Sequence, residues 1–325
     1  MATVALSMIV KNEAHVILRA LSSVLPYIDS WAICDTGSTD GTQEIIREAL
    51  KGIPGELREV PWVDFGKNRT QAVQLAQTKA DYVLILDADL VLNVYDQNFK
   101  EKLDADAYEL RYEGNLDYTN TRLVSSKCDW FYVGVTHEYI TLETEASPVL
   151  FPQLTLTDYG DGGNRADKFE RDIRLLSKAL ETEPNNERYV FYLAQSYKDI
   201  GEFGLALHWY TKRAKMRGFD EEKWYAMLMA GKMMLLLDIP WSEVQAQFLA
   251  AFAYRPTRIE PLYEIVKHYR ATGEYATGFM FAAIWGHGFP YPTDRLFIDR
   301  PVYTSLFEEA YVFLVQKMQD KYKKG

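Results

Sequence analysis

Up to about residue 90, short apolar runs alternate with segments whose apolar positions recur every three or four residues. Residues 2–10 read as a strand, and residues 13–25 as a helix with Val16, Ile17, Leu21, Val24 and Leu25 on one face. Trp31 to Asp35 reads as a short strand, Thr42 to about Leu50 as a helix, and Leu57–Trp62 as a strand. Lys67–Lys79 is a helix with Ala72, Val73, Leu75 and Ala76 together. The run Tyr82 to Leu86 is too apolar for an exposed edge and belongs inside a parallel sheet. Strands alternating with helices of this length predict right-handed βαβ units in an α/β domain.

After residue 90 the rhythm changes. Tyr108–Tyr112, Arg122–Val124, Trp130–Val133 and Tyr139–Leu142 read as shorter strands of a mixed or antiparallel extension. The glycine-rich stretch from Asp158 to Asn164 predicts a joint, dividing the chain into domains at 1–160 and 161–325. Beyond it, Val190, Leu193, Ala194, Tyr197, Gly201, Ala206 and Tyr210 follow the tetratricopeptide spacing of small and aromatic positions. Phe248, Ala251 and Pro256 fit the end of a second unit, and Val266, Tyr269 and Gly273 part of a third. Each helical pair leaves an apolar face that only a neighbouring pair can cover, so about three units stack into an all-α domain.

Composition narrows the function. The chain has 325 residues and a net charge of −10, from 36 basic and 46 acidic residues. That balance argues against nucleic acid as a partner, because such binding needs Lys and Arg to displace counterions. Only Cys34 and Cys128 are present, too few for a disulfide framework or a Cys-based zinc site. No apolar run approaches the ~20 residues of a membrane span. Lys11 follows the first apolar stretch instead of preceding it, the wrong order for a signal peptide. The expectation is a reduced, soluble, cytoplasmic protein, in which the sequon Asn68-Arg69-Thr70 goes unused.

Four segments of the first domain converge on the carboxyl ends of its strands, where open α/β sheets bind ligands. They are Lys11-Asn12-Glu13; Asp35 with Thr36-Gly37-Ser38-Thr39-Asp40-Gly41; Asp64 to Arg69 at a helix start; and Asp87-Ala88-Asp89. Two acids one residue apart suit a hard divalent cation. Backbone N–H groups at a helix start, with Lys67 and Arg69, suit a phosphate. Neither a dinucleotide glycine fingerprint nor a Walker lysine loop is present. The plainer alternatives are a turn for the Asp pair and a surface ion pair with Asp64 for Arg69.

Taken in order, Asp35 with Gly-Ser-Thr-Asp-Gly, Phe65 to Arg69, and Leu86-Asp87-Ala88-Asp89 resemble the family-2 glycosyltransferases of GT-A fold over roughly residues 3–145. The resemblance is strongest to bacterial and viral members with tetratricopeptide-like C-terminal helices, including the peptide S-glycosyltransferases. It implies that Asp35 accepts from the nucleobase and that Asp87 faces the ribose or the metal. Asp89 would ligate Mn²⁺ or Mg²⁺, and Arg69, with Lys67, would contact the diphosphate. Lys11 and Glu13 join this donor-binding set. The family inverts configuration, so a base is needed, and Glu138 in Gly134-Val135-Thr136-His137-Glu138 stands where the family's late acidic motif falls. His137 is a metal ligand or a diphosphate contact in this reading. On an extended strand it would face away from Glu138, so one site holds both only if the backbone bends.

Trp130 and Tyr132 stack on a sugar or pack in the core. The joint at Asp158 and Asp161 closes over the donor or simply links domains, and His208, His268 and His287 are structural or solvated. The expected function is metal-dependent, inverting transfer from a nucleotide-sugar, UDP-linked by preference, to a hydroxyl or thiol on a protein, peptide or glycan. The helical repeats would hold that acceptor or form a homodimer. Two alternatives stand beside it: a tetratricopeptide interaction protein with an inactive nucleotide-binding domain, and a nucleotidyltransferase.

Overall fold

The computed structural model describes residues 1–114, 118–144, 147–162, 168–294 and 296–323. The chain divides into two compact units, Met1–Arg171 and Asp172–Gly325.

The first unit begins with β1 (Val4–Val10), α1 (Ile17–Val24), β2 (Ser30–Asp35), α2 (Thr42–Ala49), β3 (Gly55–Glu59), α3 (Phe65–Gln77) and β4 (Tyr82–Ile85). It continues with β5 (Leu90–Val94), β6 (Ala107–Tyr112), β7 (Thr119–Ser125), β8 (Phe131–Val133), β9 (Tyr139–Thr141) and β10 (Val149–Asp158). Eight strands form one sheet in the order β3-β2-β1-β4-β7-β6-β10-β5, and β8 and β9 form a separate antiparallel pair. The block β3-β2-β1-β4 is parallel, and β7 joins it antiparallel to β4. The predicted βαβ series and its mixed extension are both present.

Alternation along the strands gives each face its character. Leu6, Met8, Ile33 and Leu84 point into a core closed by Ile17, Leu21 and Val24 of α1. On the other face Ala5, Ala32, Val83 and Ile85 meet Val73 and Ala76 of α3, with Trp130 completing the cluster. Small residues on that face let α3 lie close to the sheet, which brings its first turn near the strand ends. Trp130 is 1% exposed and donates its indole N–H to the Ser125 carbonyl at 2.8 Å, so it is a core residue.

β5 and β10 extend the sheet beyond the expected strands. β10 lies between β6 and β5, and its register on β6 shifts between Leu150 and Thr155, around Pro152. A proline has no N–H for the ladder, and the irregularity accommodates it.

The second unit is helical. After α4 (Lys168–Thr182) come α5 (Glu187–Asp199), α6 (Phe203–Ala214), α7 (Asp220–Leu236), α8 (Trp241–Tyr254), α9 (Glu260–Thr272), α10 (Tyr275–Ala282) and α11 (Phe307–Lys323). Phe191 and Ala194 of α5, Ala206 and Tyr210 of α6, and Ala226, Met229, Ala230 and Met233 of α7 share one core. Trp224, Val244, Phe248, Ile265, Val266, Tyr269 and Phe307 share the next. Ala194, Ala206, Tyr210, Phe248 and Tyr269 of the repeat pattern thus join successive helices, whereas Gly201 and Gly273 are exposed turn residues at positive φ. No helix among the described residues is long and apolar enough to cross a membrane.

Candidate active site

Asp35 ends β2 and is fully buried. Its Oδ1 accepts from the backbone N–H of Gly37 at 2.6 Å and of Ser38 at 2.7 Å. Its Oδ2 is buried and has no hydrogen-bond partner among the described residues. The loop after Asp35 is held by the turn after β1. Asn12, at φ +57, accepts from the Thr39 N–H at 2.8 Å and donates its own N–H to Ser38 Oγ at 2.9 Å. Asparagine tolerates this left-handed conformation better than most residues. The Glu13 N–H donates to Thr42 Oγ1, and the Ala14 N–H to Asp40. Lys11 is half-buried in the same turn.

Asp64 caps α3, accepting from the Lys67 N–H at 2.7 Å, and the Lys67 side chain is exposed. Arg69 reaches away from Asp64. Its Nη2 lies 2.6 Å from Asp87 Oδ1, and its Nε donates to Glu138 Oε1 at 2.6 Å. The other Asp87 oxygen accepts from Arg122 Nη2 at 2.9 Å. Arg122 is itself fixed by the Tyr112 hydroxyl, at 3.0 Å from Nε and 2.7 Å from Nη2. Burial pushes the Asp87 carboxyl up, but the charges of Arg69 and Arg122 outweigh it and hold the group well below the usual carboxylate range. Tyr132, whose ring centroid lies 5.8 Å from the Arg69 guanidinium, is pushed up to about 12 by burial and stays protonated at neutral pH.

The turn that carries Glu138 is fastened to the start of α3. The Phe65 N–H donates to the Val135 carbonyl at 3.1 Å, and the Tyr132 N–H to Thr70 Oγ1 at 2.9 Å. A Cβ on Gly66 would stand 2.3 Å from the Gly134 carbonyl oxygen, so only glycine fits there. Gly134 has φ +109 and His137 φ +50, and residues 134–138 lie between β8 and β9, outside both. The backbone therefore bends at His137, and the opposition of faces expected of an extended strand does not apply.

Asp89 is half-buried beyond the end of β4. Its Oδ2 accepts from the Gly162 N–H at 3.4 Å, and a Cβ on Gly162 would come within 3.0 Å of it. The stretch 159–162 is tethered to α1 and the residues before it. Arg19 binds both Asp161 carboxylate oxygens, at 3.0 and 2.5 Å, stacks over the Tyr159 ring, and His15 Nε2 meets the Asp161 carbonyl at 2.8 Å. The described part of the predicted joint thus rests on Asp89; Gly163 and Asn164 lie outside the described residues.

The geometry gathers Arg69, Asp87 and Glu138, with Asp35, Asp89 and Lys11 at neighbouring strand ends. Arg122 is the residue that sequence reasoning missed. A lone arginine beside Leu123 and Val124 in a strand was the signal, since a buried charge needs a partner. Among the described residues there is no group of three or more His, Cys, Asp or Glu side chains able to hold a metal ion.

Residues 6–110 match the family described as Glycosyl transferase family 2. The first unit is a GT-A-like family-2 glycosyltransferase module, and a tetratricopeptide-like helical region follows it. A TPR repeat-containing protein of Synechococcus elongatus is 38% identical over 237 residues, which is 66% of this chain and 57% of that protein. The SPbeta prophage-derived glycosyltransferase SunS of Bacillus subtilis is 25% identical over 213 residues, 59% of this chain and 49% of that protein. The chain thus spans about half the length of the curated relatives it matches. Among solved structures, one of MamA is similar over 51% of this chain and 98% of its own, at 19% identity and a TM-score of 0.33, too low to carry an argument.

Proposed function

We propose that the first unit binds a nucleotide-sugar, UDP-linked by preference, and transfers the sugar with inversion to a hydroxyl or thiol on a protein, peptide or glycan. The observation that carries this reading is the orphaned Asp35 Oδ2. A buried carboxylate oxygen without a donor is costly, and a nucleobase N–H entering at the end of β2 would satisfy it. Asp87 then orients the ribose, and Arg69 contacts the diphosphate. Glu138 takes the proton from the acceptor as the acceptor oxygen or sulfur attacks the anomeric carbon and the nucleoside diphosphate leaves.

The residues fit a divalent cation in one way. Both Asp87 oxygens are engaged by arginines, and Asp89, half-buried just beyond the end of β4, is the carboxylate this reading assigns to a hard cation. Mg²⁺ commonly uses one or two carboxylates and completes its shell with substrate phosphates and water, so a three-donor protein cluster is not required. When bound, Mg²⁺ or Mn²⁺ would neutralise charge on the departing diphosphate. The helical repeats would engage an acceptor polypeptide or a second copy of the chain.

A second reading is an interaction protein that retains a nucleotide-binding fold without turnover. The specific observation favouring it is that Glu138 and both Asp87 oxygens are already occupied by arginines.

Calorimetric titration of UDP and of GDP, with and without Mg²⁺ or Mn²⁺, tests the first reading. Metal-enhanced binding of one nucleotide, lost in Asp89→Ala, is the expected result. If neither nucleotide binds, the donor reading falls. If one binds but its sugar-nucleotide is neither transferred nor slowly hydrolysed, the second reading holds.

A further inference from the structure

We propose that Arg122 is a positioning residue for the donor's diphosphate: it holds Asp87 in place so that Arg69 can leave Asp87 and Glu138 for the incoming phosphates. This rests on the donor-binding reading above and deepens it.

The two arginines reach Asp87 from different supports. Arg122 projects from β7, in the middle of the sheet, and is 9% exposed. It is fixed at two points, by both of its bonds to the Tyr112 hydroxyl and by Asp87 Oδ2. Arg69 projects from α3, and its ion pairs are with Asp87 and Glu138. Each arginine therefore holds a different oxygen of Asp87; Arg122 is also hydrogen-bonded to the uncharged Tyr112 hydroxyl, whereas the other ion pair of Arg69 is with Glu138.

That division decides which cation can move. Arg69, Arg122, Asp87 and Glu138 make a balanced set of two positive and two negative groups. An arriving diphosphate brings further negative charge and draws a cation toward itself. If Arg69 were the sole partner of Asp87, its departure would leave a largely buried carboxylate unpaired, which is strongly unfavourable. With Arg122 in place Asp87 remains paired, so Arg69 is the one released. Its departure also frees Glu138 to accept the acceptor's proton, and does so only once the donor is seated. Donor binding and exposure of the base are then one event.

The test compares a ligand that carries the diphosphate with one that lacks it. Dissociation constants for UDP and uridine, and for GDP and guanosine, are measured by calorimetry in Mg²⁺ for the natural protein, Arg122→Met, Arg69→Met and the double variant. Arg122→Met is expected to reduce the preference for diphosphate over nucleoside about tenfold, the size of one charge-assisted contact. In the Arg69→Met background the same change should reduce it no further, because Arg69 carries the effect. Tyr112→Phe, a milder change that removes the hydroxyl fixing Arg122, should act in the same direction with a smaller loss, and thermal unfolding checks that each variant is folded. Equal weakening of diphosphate and nucleoside, or a full additional loss in the double variant, overturns the proposal and leaves Arg122 a structural residue. A natural protein that binds no nucleoside diphosphate overturns the donor reading itself, a result plainly different from either of these.

Discussion

Arg69 Nε stands 2.6 Å from Glu138 Oε1, and this ion pair joins the first turns of α3 to the bend between β8 and β9. The side chains are 14% and 12% exposed, so the contact is largely withdrawn from water. A pair in that setting depends strongly on geometry, and the backbone bonds from Phe65 and Tyr132 supply it. The residues around the pair make separable claims.

Glu138→Gln keeps the size of the side chain and removes its charge. Nucleotide affinity should persist while transfer falls by a factor on the order of 10²–10⁴, the usual contribution of a general base. Steady-state rates beside calorimetric affinities check this; an unchanged rate would place the base elsewhere.

Asp35→Asn should weaken nucleotide binding by about tenfold or more, since a hydrogen bond to a charged group is worth about 1.5–3 kcal/mol. Its Oδ1 also receives the Gly37 and Ser38 N–H groups, so the loop 36–41 should loosen. Hydrogen exchange at those two amides reads the second effect independently of any ligand.

Gly66→Ala introduces a methyl group that meets the Gly134 carbonyl oxygen at 2.3 Å unless the backbone moves. Stability should drop by about 1–3 kcal/mol, the usual range for overpacking. Transfer should fall as well, because the same contact sets the position of Glu138. Chemical denaturation and an activity assay on the folded fraction separate the two; wild-type stability would contradict the packing described.

Acid should weaken the fold partly through Asp87. Its folded carboxyl titrates below the unfolded value of about 3.9, so its contribution is fully present above that pH and is lost as pH falls toward the folded value. Urea midpoints measured from pH 5 down to pH 2 should decline, and less steeply in Asp87→Asn. Identical slopes would mean that the two arginines do not hold Asp87 as described.

The parallel half of the first unit was legible because its strands are short apolar runs and its helices carry striped faces. Asp64 even marks the start of α3 as a capping residue. β10 was not legible, since Pro152 within Val149–Asp158 argues locally against a paired strand, and only a register shift reconciles it. β5 was hidden because Leu90 follows Asp89 through a turn closed by the Leu90 N–H on the Asp87 carbonyl. Asp35, Arg69, Asp87 and Glu138 could each be singled out by position and charge. That Arg69 pairs with Asp87 and Glu138 instead of Asp64 depends on the bend at His137 and on Arg122 two strands' width of sequence away, which no local pattern encodes. The acidic excess of the chain also lies in the first unit, whereas the charges of the helical unit nearly balance.

The place of β5 at the end of the sheet, paired with β10 alone, constrains how the chain is made. β1 to β4 emerge from the ribosome in succession and can assemble as they come. β5 emerges next and then waits through β6, β7 and the β8–β9 hairpin for its neighbour. During that interval Leu90 and Leu92 have only the α1 side of the core to shelter them. Any truncation before Val149 makes the wait permanent, turning a native edge into a site for misassembly between nascent chains.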